Sequence, residues 1–305
     1  MTRCTSISAL LVLGWSAVTS AATVVVQQGG VATWPGKSAK TCESYGRRYP
    51  AVGGVCFYPV DLHAKVGRRP IALWDTVGKK YVGTLEVQTT PFPAINVELP
   101  PTMARYVDVS PEDEARAEKE TAEVAVILKG EVGEPLFKLP LGKPAATLPK
   151  SEDDFGSERT FNAKHKSVHT GRDYPVSIHT AVKSVADGHV VLVADHFYTG
   201  NAVYIDHGDG LLSMYFHLET VTVKPGDPVK RGRTVGKVGS TGRATGPHLH
   251  LGLRWLGKRI DPALLLDKPS KLPSVNDTKS EAEQKILDAE TKEPPETDIV
   301  DASED

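Results

Sequence analysis

The stretch that most constrains this chain runs from Phe155 to about Leu266. Short β-favouring segments alternate there with glycine, proline and aspartate turns, and no helical period is present. Strands are predicted over Val182 to Asp195, Ala202 to His207, Leu211 to His217, Val221 to Val223, Thr234 to Val238 and His248 to Trp255. Asp187-Gly188, Tyr198-Thr199-Gly200, Gly208-Asp209-Gly210 and Lys224-Pro225-Gly226-Asp227 supply the turns. Short strands joined by such turns favour an antiparallel sheet.

Residues 23 to 108 read the same way on a smaller scale. Val24-Val25-Val26, Val55-Cys56-Phe57, Pro70 to Trp74 and Lys80 to Val87 are separated by Gly, Pro and polar clusters, which predicts a small β domain. No chemistry is legible in it. Ser110-Pro111-Glu112-Asp113-Glu114 then opens a helix, with serine as N-cap, proline at the first helical position and acids in the first turn. This linking helix runs to about Leu128, and a Pro/Gly/Lys-rich connector follows to Lys150. The organisation predicted is therefore 1–22 targeting segment, 23–108 β domain, 109–150 helix and connector, 151–267 second β domain, and 268–305 acidic tail.

The targeting segment rests on Arg3, the apolar run Ile7 to Val18, and Thr19-Ser20-Ala21-Ala22 with small residues at cleavage positions. The apolar run falls short of the roughly 20 residues that a membrane span needs, so an exported protein without a transmembrane segment is expected. The periplasm is favoured over the extracellular space. Cleavage leaves Cys42 and Cys56, which in an oxidising compartment are expected to pair. Beyond Asp267 large apolar residues nearly vanish and acids dominate, so the tail is expected to be disordered. The net charge of -2 conceals this tail: nine Lys and Arg lie between Lys224 and Arg259 against the single acid Asp227. No nucleic-acid-binding motif accompanies that basic stretch.

Chemistry concentrates in the second β domain. His248-Leu249-His250 follows the turn Gly239 to Pro247, and residues two apart on a strand project to one face. His169 and Asp173 lie upstream, and Tyr215-Phe216-His217 between. Each pattern is weak alone; together in one β domain they suggest a metal-dependent hydrolase.

With these residues in hand, 159–266 resembles the lysostaphin/LytM-type zinc metallopeptidases that cut peptidoglycan. The resemblance runs through His169-x3-Asp173, Ala186-Asp187-Gly188, Asn201 to Gly210, Tyr215-x-His217-Leu218, Gly226-Asp227-x-Val229, Gly239-x-Thr241-Gly242, Thr245 to His250 and Asp261-Pro262. It implies a mainly β fold whose C-terminal antiparallel sheet is a metallopeptidase domain with an open groove. One Zn²⁺ per chain would sit on His169, Asp173 and His250, with His217 and His248 as the catalytic pair. Hydrolytic zinc takes three protein ligands and keeps a place for water, whose pKa it brings to about 7. The implied activity is endopeptidase cleavage of peptidoglycan cross-links. Tyr215, two residues before His217, is read as a contact to substrate or transition state. The alternative is a non-catalytic member that binds the wall and regulates another hydrolase, with a regulatory protein partner. A covering role for the N-terminal domain over the groove is a further expectation. His63, His165, His189 and His196 are read as surface residues, and His207 as structural. Arg172 and His179-Thr180 depart from the family pattern, where small or aliphatic residues and a glycine are usual.

Overall fold

The computed structural model describes residues 22–128, 132–151 and 154–275. The expected targeting segment, and the acidic tail beyond Val275, lie outside the described residues. The chain is mainly β, and among the described residues no helix is long and apolar enough to cross a membrane.

The N-terminal region forms a five-stranded sheet in the order Thr23–Gln27, Lys80–Gln88, Gly67–Asp75, Ala39–Ser44 and Arg47–Pro50. A ribbon of Val31–Trp34 and Cys56–Pro59 packs beside it. Strand candidates at Val24, Cys56, Pro70 and Lys80 are all occupied by strands. Three short strands without strong β runs, Val31–Trp34, Ala39–Ser44 and Arg47–Pro50, had no sequence signal of their own. The Cys42–Cys56 disulfide joins sheet to ribbon across a Cα separation of 5.5 Å, with both residues fully buried.

The C-terminal region is a nine-stranded antiparallel sheet. Its main path is Gly171–Tyr174, Leu249–Trp255, Leu211–Val221, Gly200–Asp206, Gly188–His196 and Pro228–Val229. Thr234–Val238 pairs with Ala181–Lys183 and with the far end of Leu211–Val221, and Lys258–Arg259 closes a hairpin on Leu249–Trp255.

Helix Pro111–Leu128 starts as its sequence dictates, the Ser110 hydroxyl accepting from the Asp113 amide at 3.1 Å. It lies on the sheet face made by Leu192, Tyr204, Met214 and Phe216, against which Val124 is buried. The segment after it is no loose connector. Phe137, Leu141 and Ala145 are buried in the main core, because the apolar residues spaced among its prolines find cover against the C-terminal sheet.

Two features tie the halves together. Trp255 is fully buried between Phe57 of the N-terminal ribbon, centroids 5.6 Å apart, and Phe137 at 5.5 Å. A three-stranded sheet also crosses the expected boundary: Ala94–Val97 runs parallel to Glu158–Phe161, which pairs antiparallel with His165–Val168.

Candidate functional site

Strand register builds the site. Asp173 on Gly171–Tyr174 is the cross-strand partner of His250, and His250 is the partner of Phe216 on Leu211–Val221. Three neighbouring strands thus set Asp173, His250 and Phe216 in one row across the sheet. His169 enters from the loop before Gly171, and His248 from the bridge where Gly239 pairs with it.

Donor atoms converge closely. His169 Nε2 lies 3.1 Å from Asp173 Oδ1 and 3.0 Å from His250 Nδ1, and His250 Nδ1 lies 2.9 Å from Asp173 Oδ1. A tetrahedral zinc with bonds of about 2.0–2.1 Å sets its ligand atoms about 3.3 Å apart. The triangle is close to that size, and two imidazole nitrogens with one carboxylate oxygen form a hydrolytic donor set. These are the residues of the described chain that could hold a metal ion together. Gly171 makes the approach possible, since a Cβ there would fall on His250 Nε2.

Charge is balanced inside the cluster. Burial alone would lower His169, but the Asp173 and Asp154 carboxylates outweigh it and carry the group up to about 9. Against its own burial, Asp173 is held well below the usual carboxylate range by His169 and His250.

The other two histidines face the cluster with acceptors. His217 Nδ1 donates to the Thr241 carbonyl at 2.8 Å, and His248 Nδ1 to the Gly246 carbonyl at 2.9 Å. Those carbonyl partners assign the proton to Nδ1 on both rings and leave each Nε2 a bare lone pair. The rings lie 4.8 Å apart, and His248 Nε2 is 3.6 Å from Asp173 Oδ1. Burial, reinforced by His248 and His250, holds His217 well below its ordinary value, so it is neutral at pH 7. Its backbone is left-handed, φ +59°, a costly conformation for histidine that strands rarely contain.

That kink corrects the expectation for Tyr215. Strict alternation would set Tyr215 and His217 on one face. The left-handed turn at His217 and the bulge between Tyr215 and Leu218, where three residue steps oppose the two from Asn201 to Val203, instead bring His217 to the Phe216 face. Tyr215 is left in the core, fully buried, with its hydroxyl accepting from the Val185 amide at 2.9 Å and from Ser213 at 3.1 Å. Burial pushes it up to about 12. It is no part of the cleft. Phe216 is, its ring stacked on His250 at 5.0 Å with 6° between planes.

Asp154, which no motif singled out, and Arg159, which the resemblance covered without giving it a role, complete the surroundings. His169 Nδ1 is 3.2 Å from the buried Asp154 carboxylate, so its proton is committed there and Nε2 is turned to the cluster. Arg159 bridges Asp154 and Asp173 Oδ2, the latter at 2.9 Å. Arg243, from the glycine-rich turn, lies over Phe161 at 4.0 Å and Tyr198 at 4.6 Å, and its guanidinium donates to Ser167. Gly242, φ +69°, packs directly on the Tyr198 to Gly200 backbone, which fixes this turn beside the site.

The remaining histidines fall elsewhere. His207 is buried and structural, bonded to the Asp187 carbonyl and to Ser213, and burial takes it down to about 4. His179 is exposed and pairs with Glu219. His196 is not a surface residue: it is buried against Tyr204 and Glu123, because helix Pro111–Leu128 covers it. Arg172 points away from the cluster and holds Asp261 through two contacts of 2.6 and 2.7 Å.

An antiparallel sheet gathers two histidines and an aspartate that could hold one metal ion, with two acceptor imidazoles alongside, the set of groups that metal-assisted hydrolysis uses. Residues 167–262 match the model of peptidase family M23, and this region is a peptidase M23 domain of the LytM type. Peptidoglycan DD-endopeptidase ShyA of Vibrio cholerae is 42% identical over 98 residues, covering 32% of this chain and 23% of that protein. DD-carboxypeptidase/endopeptidase Mpg of Neisseria meningitidis is 35% identical over 122 residues, covering 40% of this chain and 28% of that protein. The chain thus spans under a third of the length of these curated relatives. A crystal structure described as a peptidase M23 of Pseudomonas aeruginosa superposes with a TM-score of 0.59 at 28% identity, over 78% of this chain and 94% of that one.

Proposed function

We propose that this chain is a zinc metalloendopeptidase that hydrolyses peptide cross-links of bacterial peptidoglycan, with one zinc per chain on His169, Asp173 and His250. The observation that carries this reading is the triangle of donor atoms with 2.9–3.1 Å sides, faced by the free Nε2 atoms of His217 and His248. The DD-endopeptidase names of the M23 relatives support the substrate class.

When bound, the metal supplies Lewis acidity to water and carbonyl oxygen. The chain does the rest. His248 Nε2 accepts the proton of the attacking water, and its Nδ1 bond to Gly246 keeps that nitrogen aimed. His217, neutral and held by Thr241, offers a second acceptor that orients the same water. Phe216 stacks against His250 and excludes solvent from that side. The Cys42–Cys56 disulfide supports an oxidising compartment, and we assign the protein to the periplasm.

His248→Ala is expected to retain metal and to release soluble fragments from purified sacculi about 10²–10⁴-fold more slowly. Unchanged release overturns the assignment. A metal-loaded wild type that releases nothing, yet stimulates a separate wall hydrolase, would instead favour the regulatory reading.

A further inference from the structure

We propose that a second cleft, between helix Pro111–Leu128 and the hairpin Glu158–Phe161/His165–Val168, holds the arm of a cross-linked peptide beyond the scissile bond and recognises its free amine. The inference rests on the endopeptidase reading above.

Size separates the two cavities. The pocket over the metal-ligand cluster has a volume of about 80 Å³, room for little beyond the reacting bond. The second cleft encloses about 990 Å³, at the top of the range for ligand sites, and meets the first at Arg159 and Tyr198. An endopeptidase must accommodate chain on both sides of the bond it cuts, and this cleft shares the Arg159 and Tyr198 walls of the pocket over the cluster. Its helical wall and the strand bearing Glu158 lie outside residues 167–262, so the site belongs to this architecture rather than to the matched domain.

Charge indicates what the cleft takes. Arg159 and Arg259 on its lining are committed, to Asp154 with Asp173 and to Asp61 respectively. The helix carries two sorts of acid. Asp113, Glu120 and Glu123 are engaged by Arg105, Arg116 and His196. Glu114 and Glu118, one turn apart on the cleft face, form no ion pair among the described residues, and neither does Glu158 across from them. Three unpaired carboxylates stand in the cleft with the ammonium of Lys166 beside His165, which stacks on Tyr198 at 5.6 Å. A zwitterionic peptide with a free side-chain amine and a carboxylate is complementary to that lining, and uncleaved stem peptides with a diamino acid have this chemistry.

The test uses the full chain with Glu114→Gln/Glu118→Gln, residues away from the reacting centre. Binding of an uncross-linked stem tetrapeptide, with its side-chain amine free or acetylated, is measured on metal-free protein. Cleavage of a cross-linked peptide dimer is measured on metal-loaded protein. Acetylation is expected to weaken binding to wild type about tenfold and to have no effect on the variant, while the variant's KM for the dimer rises about tenfold at unchanged kcat. Equal binding of the two peptides by wild type, or an unchanged KM, overturns the cleft. Amine-dependent binding without dimer cleavage by wild type supports the cleft and overturns the endopeptidase reading instead.

Discussion

The two large sheets bury different things. The N-terminal sheet encloses Val24, Val26, Trp34, Leu73 and Leu85 around a disulfide, an apolar interior with a covalent staple. The C-terminal sheet has a larger apolar core yet also buries His169, His217, His250 and Asp154, and holds His217 in a left-handed conformation. Burying ionisable groups and straining a backbone both oppose folding. Such features persist where chemistry needs them, so the contrast locates function without reference to motif. The halves still share one core through Phe57, Trp255 and Phe137, and that contact braces the polar half against the apolar one.

The sharpest way to break this comparison is to cut that brace. Phe57→Ala is expected to cost about 3–5 kcal/mol and to leave a single unfolding transition in denaturant, as large cavities do. Two separated transitions would mean that the sheets are independent. The same shared core bears on latency: a chain begun at Ser151 would strip Phe57 and Phe137 from Trp255, so its activity would report folding as well as uncovering.

Next in size, replacing both Cys42 and Cys56 by Ala should cost about 3 kcal/mol for a loop of this length while metal affinity stays unchanged. A loss of metal affinity would show that the staple reaches the site. Asp154→Ala should do the reverse, with stability nearly kept and metal affinity lowered about 10–100-fold in competition against a chromophoric chelator. Asp154→Asn, which retains an oxygen acceptor for His169, should lose less. Equal affinity in all three proteins would remove Asp154 from any positioning role.

The smallest effect concerns Asp209, where the C-terminal sheet meets Trp255. Burial raises its carboxyl to about 7, although the Trp255 indole donates to it at 3.2 Å. The folded chain therefore keeps this proton between pH 4 and 7 while the unfolded chain loses it. Its contribution to stability is complete below about pH 4 and is lost as pH rises through 7. Asp209→Asn removes that loss and tolerates the φ of +50°, so it should stabilise the protein by about 2 kcal/mol at pH 8 and hardly at all at pH 4. Equal gains at both pH values would mean that ionisation is not the cause.

Much of the site was legible because the chemistry is carried by residue type and short spacing. His169-x3-Asp173 and His248-x-His250, weak apart, together pointed to residues that the fold brings into one cluster, and Ser110-Pro111 names a helix start that the structure bears out. What depended on contact was not legible. Tyr215 was misread because period two assumes a regular strand, and the bend at His217 ends that regularity. His196 was read as a surface residue, and the segment holding Phe137 as a plain connector, until the elements that cover them were known. Asp154 has no motif of its own and Arg159 had a motif but no role; both matter through the groups they touch.

By itself, then, the sequence determined the mainly β character and the disulfide partners, since alternation and turn chemistry are local properties, and its resemblance to a family pattern picked out the five side chains that gather at the centre. The tertiary structure decided which imidazole nitrogen faces the centre, which acids stay unpaired beside it, and that the two sheets share one core. Those outcomes depend on packing between segments far apart in the chain, and no local pattern encodes them.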